Sequence, residues 1–161
     1  MSVRILATGG TFDKEYNMID GQLYFTETNI PEILKLGRCT VPYTIRTLML
    51  VDSLDMTDTD REIIKVNAQN CEEENVLITH GTDTITNTAK FLAEANIGKT
   101  IVLTGAMIPY DFGASDALFN LGSALAFVQT LPVGVYVVMN GKYYSWDKVR
   151  KNKKTGFFEA I

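Results

Sequence analysis

Five short segments rich in apolar and β-branched residues, each ending in glycine or small polar residues, set the limits on what this chain can become. They are Val3 to Thr8, Thr44 to Val51, Val76 to Thr79, Ile101 to Thr104 and Val133 to Met139. Most are uninterrupted rather than alternating, as parallel strands covered on both faces require. Helical patterns fill the gaps. Pro31 suits a first helical turn behind Thr28 or Asn29, in a helix that stops at Gly37. Thr59 and Glu62 have capping-box spacing ahead of Ile63, Ile64 and Val66. Thr86 to Ala95 places Ala89, Phe91, Leu92 and Ala95 at helical spacing, and Ala117 to Val128 is almost wholly apolar, as in a helix buried on most sides.

This alternation predicts an α/β fold: a three-layer, doubly wound, mostly parallel sheet of flavodoxin or Rossmann type, in a single domain over 1–161. The most irregular segment is the polar stretch Phe12 to Phe25, which reads as a functional lid or a disordered loop.

Composition narrows the function classes. A net charge of −4 gives no footprint for nucleic acid. The one basic cluster, Lys148, Arg150, Lys151, Lys153 and Lys154, reads mainly as a solvated segment. No stretch approaches the roughly 18 apolar residues of a membrane span. Cys39 and Cys71 are far apart and lack C-x-x-C spacing, which points to reduced thiols. Met1 to Arg4 leads into too short an apolar run for a signal peptide, so a cytoplasmic location is expected. His80 is the only histidine, which excludes multi-histidine zinc sites and any His-based triad that does not use it. Acid–base chemistry then falls to Lys, Asp, Glu, Tyr or hydroxyl groups.

Ligands of open α/β sheets bind at the carboxyl ends of the strands. Those ends read Thr8-Gly9-Gly10-Thr11, Asp52-Ser53-Leu54-Asp55-Met56, His80-Gly81-Thr82-Asp83-Thr84 and Gly105-Ala106-Met107. Hydroxyls and carboxylates gather there with glycines that let backbone N–H groups approach a ligand. Any one of these Thr or Asp residues would ordinarily be a helix cap, and their conjunction on one sheet edge is what points to a site. Gly98-Lys99-Thr100 mimics the end of a P-loop, but Ala93 stands where the earlier glycine belongs and the segment precedes a strand. Thr8 to Thr11 is not G-x-G-x-x-G, so neither a nucleotide cofactor nor a metal is expected.

Ile5 to Thr11 and Ile78 to Thr84 resemble the two signature motifs of bacterial-type L-asparaginases. Val102 to Met107, Ser115-Asp116 with Phe119-Asn120-Leu121, and Val138-Met139-Asn140 leading to Val149-Arg150-Lys151 are also similar to that family, in order along nearly the whole chain. The resemblance implies hydrolysis of L-asparagine to L-aspartate and ammonia, with Thr11 as nucleophile and Thr82 as second catalytic threonine. It implies that Asp83 grips the substrate's α-amino group and Ser53, beside Asp52, its α-carboxylate. Gly10, Gly81 and Ala106 would line the substrate, and Lys151 would pair with Thr82, with Lys153 or Lys154 taking its place if the register slips. Tyr16, with Tyr24 as the alternative, would be the loop tyrosine that activates Thr11.

Usual members carry a second, C-terminal domain, which in some lends an acidic residue to a neighbouring site; here that residue is expected to be absent or replaced. Leu54 stands where many members have Gln, and Ile108 where they often have Arg. A homodimer or homotetramer is expected, because a lone sheet would leave its catalytic edge wet. The rivals are a non-catalytic amino-acid-binding domain and a purely structural subunit. Retention of Thr11, Thr82 and Lys151 together argues against both, since binding alone needs no base.

Overall fold

The computed structural model describes residues 1–161. The elements run β1 (Val3–Gly9), β2 (Lys14–Asn17), β3 (Gln22–Phe25), α1 (Ile30–Leu36), β4 (Tyr43–Val51), α2 (Asp58–Asn70), β5 (Asn75–Thr79), α3 (Ile85–Glu94), β6 (Thr100–Thr104), α4 (Ala117–Val128), β7 (Gly134–Met139), β8 (Lys142–Ser145), β9 (Val149–Lys151) and β10 (Phe158–Ala160). The main sheet has the order β4-β1-β5-β6-β7-β8, parallel except for the antiparallel edge strand β8. This is the mostly parallel α/β sheet expected. Chain order reverses at β1, which has β4 on one side and β5 on the other. Their carboxyl ends form the topological switch point, where such sheets bind ligands.

The two-residue period of the strands divides the core. Val3, Ile5 and Ala7 of β1 pack with Leu77, Val102 and the apolar faces of α1 and α4. Leu6 points the other way, with Val76, Ile78, Ile101 and Leu103, into a second cluster under α2 and α3. Two helices cover each face, so continuous apolar strands are what this sheet needs. The helix Ala117–Val128 begins and ends as expected, but it is not buried all round: Leu118 and Phe119 face outwards.

Two expectations need correction. The capping box of α2 is not Thr59 with Glu62. Thr57 caps the helix, accepting from Asp60 N–H at 3.2 Å, while the Asp60 carboxylate accepts from Thr57 N–H at 2.8 Å. Starting earlier leaves Met56 buried in the core and Arg61 buried against Thr84 and Thr88, and packing decides between two caps that are locally equivalent.

Nor is Phe12 to Phe25 a loop. After a 3-10 turn, Thr11–Asp13, it forms the antiparallel hairpin β2–β3, with Lys14 opposite Phe25 and Tyr16 opposite Leu23. Asn17 and Asp20 accept backbone N–H bonds in its turn, and Gly21 supplies a φ of 72°. The hairpin buries little on either face, so it leaves no hydrophobic period to read.

The sequence pattern does not foretell the C-terminal strands either. Asn140 and Gly141, both with positive φ, make the tight turn that folds β8 back onto β7. Next, β9 and β10 pair as a second hairpin whose Val149 and Phe158 dock in the core with Val137 and Met139. No helix is long and apolar enough to cross a membrane.

Candidate active site

Backbone contact among glycines draws the strand ends together. Gly10 holds a φ of 75°, and its N–H donates to Val51 C=O at 2.8 Å. A Cβ on Gly10 would land on the Gly81 backbone, and one on Gly81 would come within 2.6 Å of Ser53 Oγ. A Cβ on Gly105 would strike the His80 carbonyl and come 3.2 Å from the Thr82 methyl. Only hydrogen fits at these crossings. Thr11 and Thr82 each follow a glycine at one of them, so the two signature motifs meet although they are far apart in sequence.

Around Thr82 the site is densely built. Its side chain is buried, with the residue 6% exposed. The β9–β10 hairpin carries Lys151 to it, and Lys151 Nζ donates to Thr82 Oγ1 and to Asp83 Oδ1, both at 2.8 Å. The Thr82 hydroxyl in turn reaches Met107 Sδ at 3.5 Å. Lys153 and Lys154 lie exposed, outside this cluster. Asp83, 48% exposed at its side chain, keeps one oxygen on Lys151 and the other open.

Ser53 is buried behind this group. Its hydroxyl accepts from Thr84 N–H at 3.3 Å, and its carbonyl accepts from the Thr84 hydroxyl at 2.8 Å. Asp52 folds the same turn by accepting from Leu54 N–H at 3.0 Å, and its other oxygen pairs with Lys14 Nζ. That ion pair ties the Thr11 segment to the Ser53 turn and holds the Asp52 carboxyl below its usual range. Ala106 is fully buried at the end of β6. Beyond it the Asp116 carboxylate accepts from the N–H groups of Met107 and Ile108, while Asn120 donates to Gly105 C=O at 2.9 Å.

The Thr11 side is open by contrast. Thr11 is half-buried, and its hydroxyl makes no hydrogen bond within the chain. Tyr16 is not bonded to it. The Tyr16 ring is 50% exposed and lies edge-on to Phe112, with its hydroxyl near Gly21. It shares a hairpin face with Lys14, and that face turns toward Asp52. Tyr24 sits on the opposite face beside Glu15. Loss of hydration, together with the Glu15 charge and hydrogen bond, raises its phenol above the usual range.

Two buried titratable groups flank the site. His80 is fully buried, and desolvation pushes its pKa down to about 4, so it is neutral. Asp13, in the turn that carries Thr11, accepts from Asn29 N–H at 2.8 Å and Thr28 Oγ1 at 3.1 Å, while Oδ2 has no partner. Its burial outweighs those bonds and raises the pKa to about 6. Sequence reasoning misses Lys14 and Asp13, and names Met107 only as part of a strand end. The first two follow Thr11 within three residues, and the need to anchor that turn is the signal that points to them.

This chain is 31% identical to L-asparaginase 1 of Escherichia coli (strain K12), over 97% of its own length and 49% of the relative's. It is 34% identical to one component of the glutamyl-tRNA(Gln) amidotransferase of Methanococcus vannielii, over 88% of its own length and 34% of that protein's. The solved L-asparaginase I of Vibrio cholerae superposes with a TM-score of 0.85 at 26% identity, covering 99% of this chain and 51% of the other. The chain thus spans at most about half the length of these relatives. The family model described as Asparaginase, N-terminal, matches residues 2–160, and the chain belongs to the asparaginase family.

Proposed function

We propose that the chain is an amidohydrolase that converts L-asparagine and water to L-aspartate and ammonia, with Thr11 as nucleophile. The observation that carries this reading is the bonding of Lys151 to both Thr82 and Asp83 on the sheet edge that also presents Thr11. Thr11 Oγ attacks the side-chain carbonyl carbon, the amide nitrogen leaves as ammonia, and water cleaves the resulting ester. A threonine hydroxyl needs a proton acceptor to attack. Tyr16 is the candidate, on the hairpin face turned toward Asp52. Lys151, in contact with the Thr82 hydroxyl, is placed to exchange a proton with it and so help activate water. The N–H groups of Thr82 and Asp83 donate to no group of the chain and are free to meet the developing oxyanion. Ser53 holds the α-carboxylate, and the free oxygen of Asp83 the α-amino group.

The test is ammonia release from asparagine and from glutamine by the purified protein, alongside Thr11→Ala and Thr82→Ala. Each substitution is expected to lower kcat/KM by about a thousandfold. Near-normal turnover in either variant would overturn the assignment. The Methanococcus likeness favours one second reading, amide chemistry within a larger amidotransferase assembly; under that reading the lone protein releases little ammonia from free asparagine. The outward Leu118 and Phe119 of α4 support assembly as a homodimer or homotetramer, which sedimentation equilibrium measures.

A further inference from the structure

Behind the site lies a buried polar group to which the proposed reaction gives no role. Arg61 of α2 is buried, and its guanidinium can only donate hydrogen bonds. Its Nε donates to Thr88 Oγ1 at 3.0 Å, and its Nη2 donates to Thr84 Oγ1 at 3.2 Å. Each hydroxyl that accepts from arginine keeps its own proton to pass on. Thr84 gives its proton to the Ser53 carbonyl at 2.8 Å. Thr88 lies 2.7 Å from His80 Nε2, far better placed than its 3.7 Å contact with Met56 Sδ, a weak acceptor.

Gly81 C=O can only accept, so His80 Nδ1 carries the ring proton and donates to it at 2.8 Å. Nε2 of the neutral ring therefore accepts from Thr88, and its 3.1 Å approach to Met56 Sδ carries no proton. Arginine cannot accept at one end and a backbone carbonyl cannot donate at the other, so with a neutral ring between them every bond has a single direction. Both arms end on backbone carbonyls of substrate-holding turns, one at Ser53 and one at Gly81. The peptide that contains Gly81 C=O also contains Thr82 N–H, and in a planar trans peptide the two point in opposite directions. Fixing the carbonyl on the His80 side therefore aims the N–H away from His80, where no other group of the chain uses it.

We propose that Arg61, through directed relays Arg61–Thr88–His80–Gly81 and Arg61–Thr84–Ser53, is a positioning residue that sets the orientation of the Gly81–Thr82 peptide and of the Ser53 turn. The consequence for catalysis rests on the amidohydrolase reading; the relay itself does not. The arms make separable demands. The Gly81 arm orients an N–H that is needed most in the transition state, so its loss falls on kcat. The Ser53 arm holds the substrate's carboxylate before and during reaction, so its loss falls on KM.

His80 is the only histidine, so its ring nitrogens can be observed in the intact protein by 15N NMR without assignment. The wild type is expected to show a neutral Nδ1–H imidazole at pH 7; an Nε2–H tautomer or a charged ring would overturn the relay. Thr88→Val keeps the shape and removes the hydroxyl, and Thr88→Ser restores it. The valine variant is expected to lose about 10- to 100-fold in kcat with little change in KM, and to shift the Thr82 amide signal, with serine recovering most of both. Thr84→Val is expected to raise KM instead, with rescue by Thr84→Ser. Folded valine variants with unchanged kinetics and an unchanged Thr82 signal would overturn the proposal. If Thr88→Val does not fold, the wild-type tautomer and the Thr84 pair still decide it. If the wild type does not hydrolyse asparagine, the amidohydrolase reading fails, while the tautomer and the Thr82 amide shift still test the relay.

Discussion

Thr11 and Thr82 occupy equivalent places, each one residue past a glycine at the carboxyl end of neighbouring strands, yet their surroundings are opposites. Thr82 is enclosed and bonded by Lys151, with Met107 over its hydroxyl. Thr11 is half-open with an uncommitted hydroxyl, beside a hairpin whose tyrosine looks elsewhere. The difference follows from what each strand end is packed against. Beyond β5 lie α3 and the docked β9–β10 hairpin, whereas beyond β1 the chain leaves as β2–β3, a two-stranded ribbon with no core of its own. Such ribbons are marginally stable alone and move easily. One half of the candidate site is therefore held by the core, and the other rests on a ribbon that buries little.

The sharpest way to break this contrast is to remove what assembles the closed half. Lys151→Met keeps most of the stem and deletes the charge; kcat for asparagine is expected to fall by about 10²- to 10⁴-fold. The same change at Lys153 or Lys154 should leave it within about twofold, since neither reaches the cluster. Activity lost at Lys153 and kept at Lys151 would move the functional lysine by two residues.

Gly10→Ala tests the crossing both halves share. A methyl group at a φ of 75°, against the Gly81 backbone, is strained twice, and thermal unfolding should show a loss of more than about 2 kcal/mol. A fully stable alanine variant would mean that the strand ends are less tightly joined than they look.

Asp13 anchors the open half at a cost that depends on pH. Its folded pKa of about 6 lies above the unfolded value near 3.9, so the folded state holds the proton more tightly. Its contribution to stability is greatest below about pH 4 and is lost as pH rises through 6. His80 runs the other way: with a folded pKa of about 4 against about 6.5 unfolded, its contribution is lost as pH falls through the same window. The two oppose each other between about pH 4 and 6. Asp13→Asn keeps an acceptor for Asn29 N–H and is expected to stabilise the protein at pH 7 by about 1 to 3 kcal/mol, with the gain gone below pH 4. A gain independent of pH, measured by urea unfolding across that range, would rule out titration of Asp13 as its source.

The smallest effect is expected at Lys14. Its pair with Asp52 is partly exposed, so its direct contribution to stability is slight. It nevertheless joins the Thr11 segment to the Ser53 turn. Lys14→Met should raise KM for asparagine about three- to tenfold with kcat nearly unchanged, and an unaltered KM would make the ion pair incidental.

The residue pattern alone determined the α/β alternation, the five parallel strands and the four helices, because strands buried on both faces and helices buried on one leave distinct periods in the sequence. It also determined that Thr11, Ser53, Thr82 and Ala106 fall at one edge, since each follows a strand end. It read the hairpin β2–β3 as a lid or disordered loop, because its polar strands bury too little to leave a period, and it did not foretell the C-terminal hairpins. Only the tertiary structure decided that Lys151 and not Lys153 meets Thr82, that Tyr16 lies against Phe112, and that Arg61, an ordinary helix charge in the sequence, stands buried between two turns of the site. Those facts depend on contacts between residues far apart in the chain. Local propensity does not encode them; the docking of Val149 and Phe158, and the glycine crossings that bring the strand ends into contact, do.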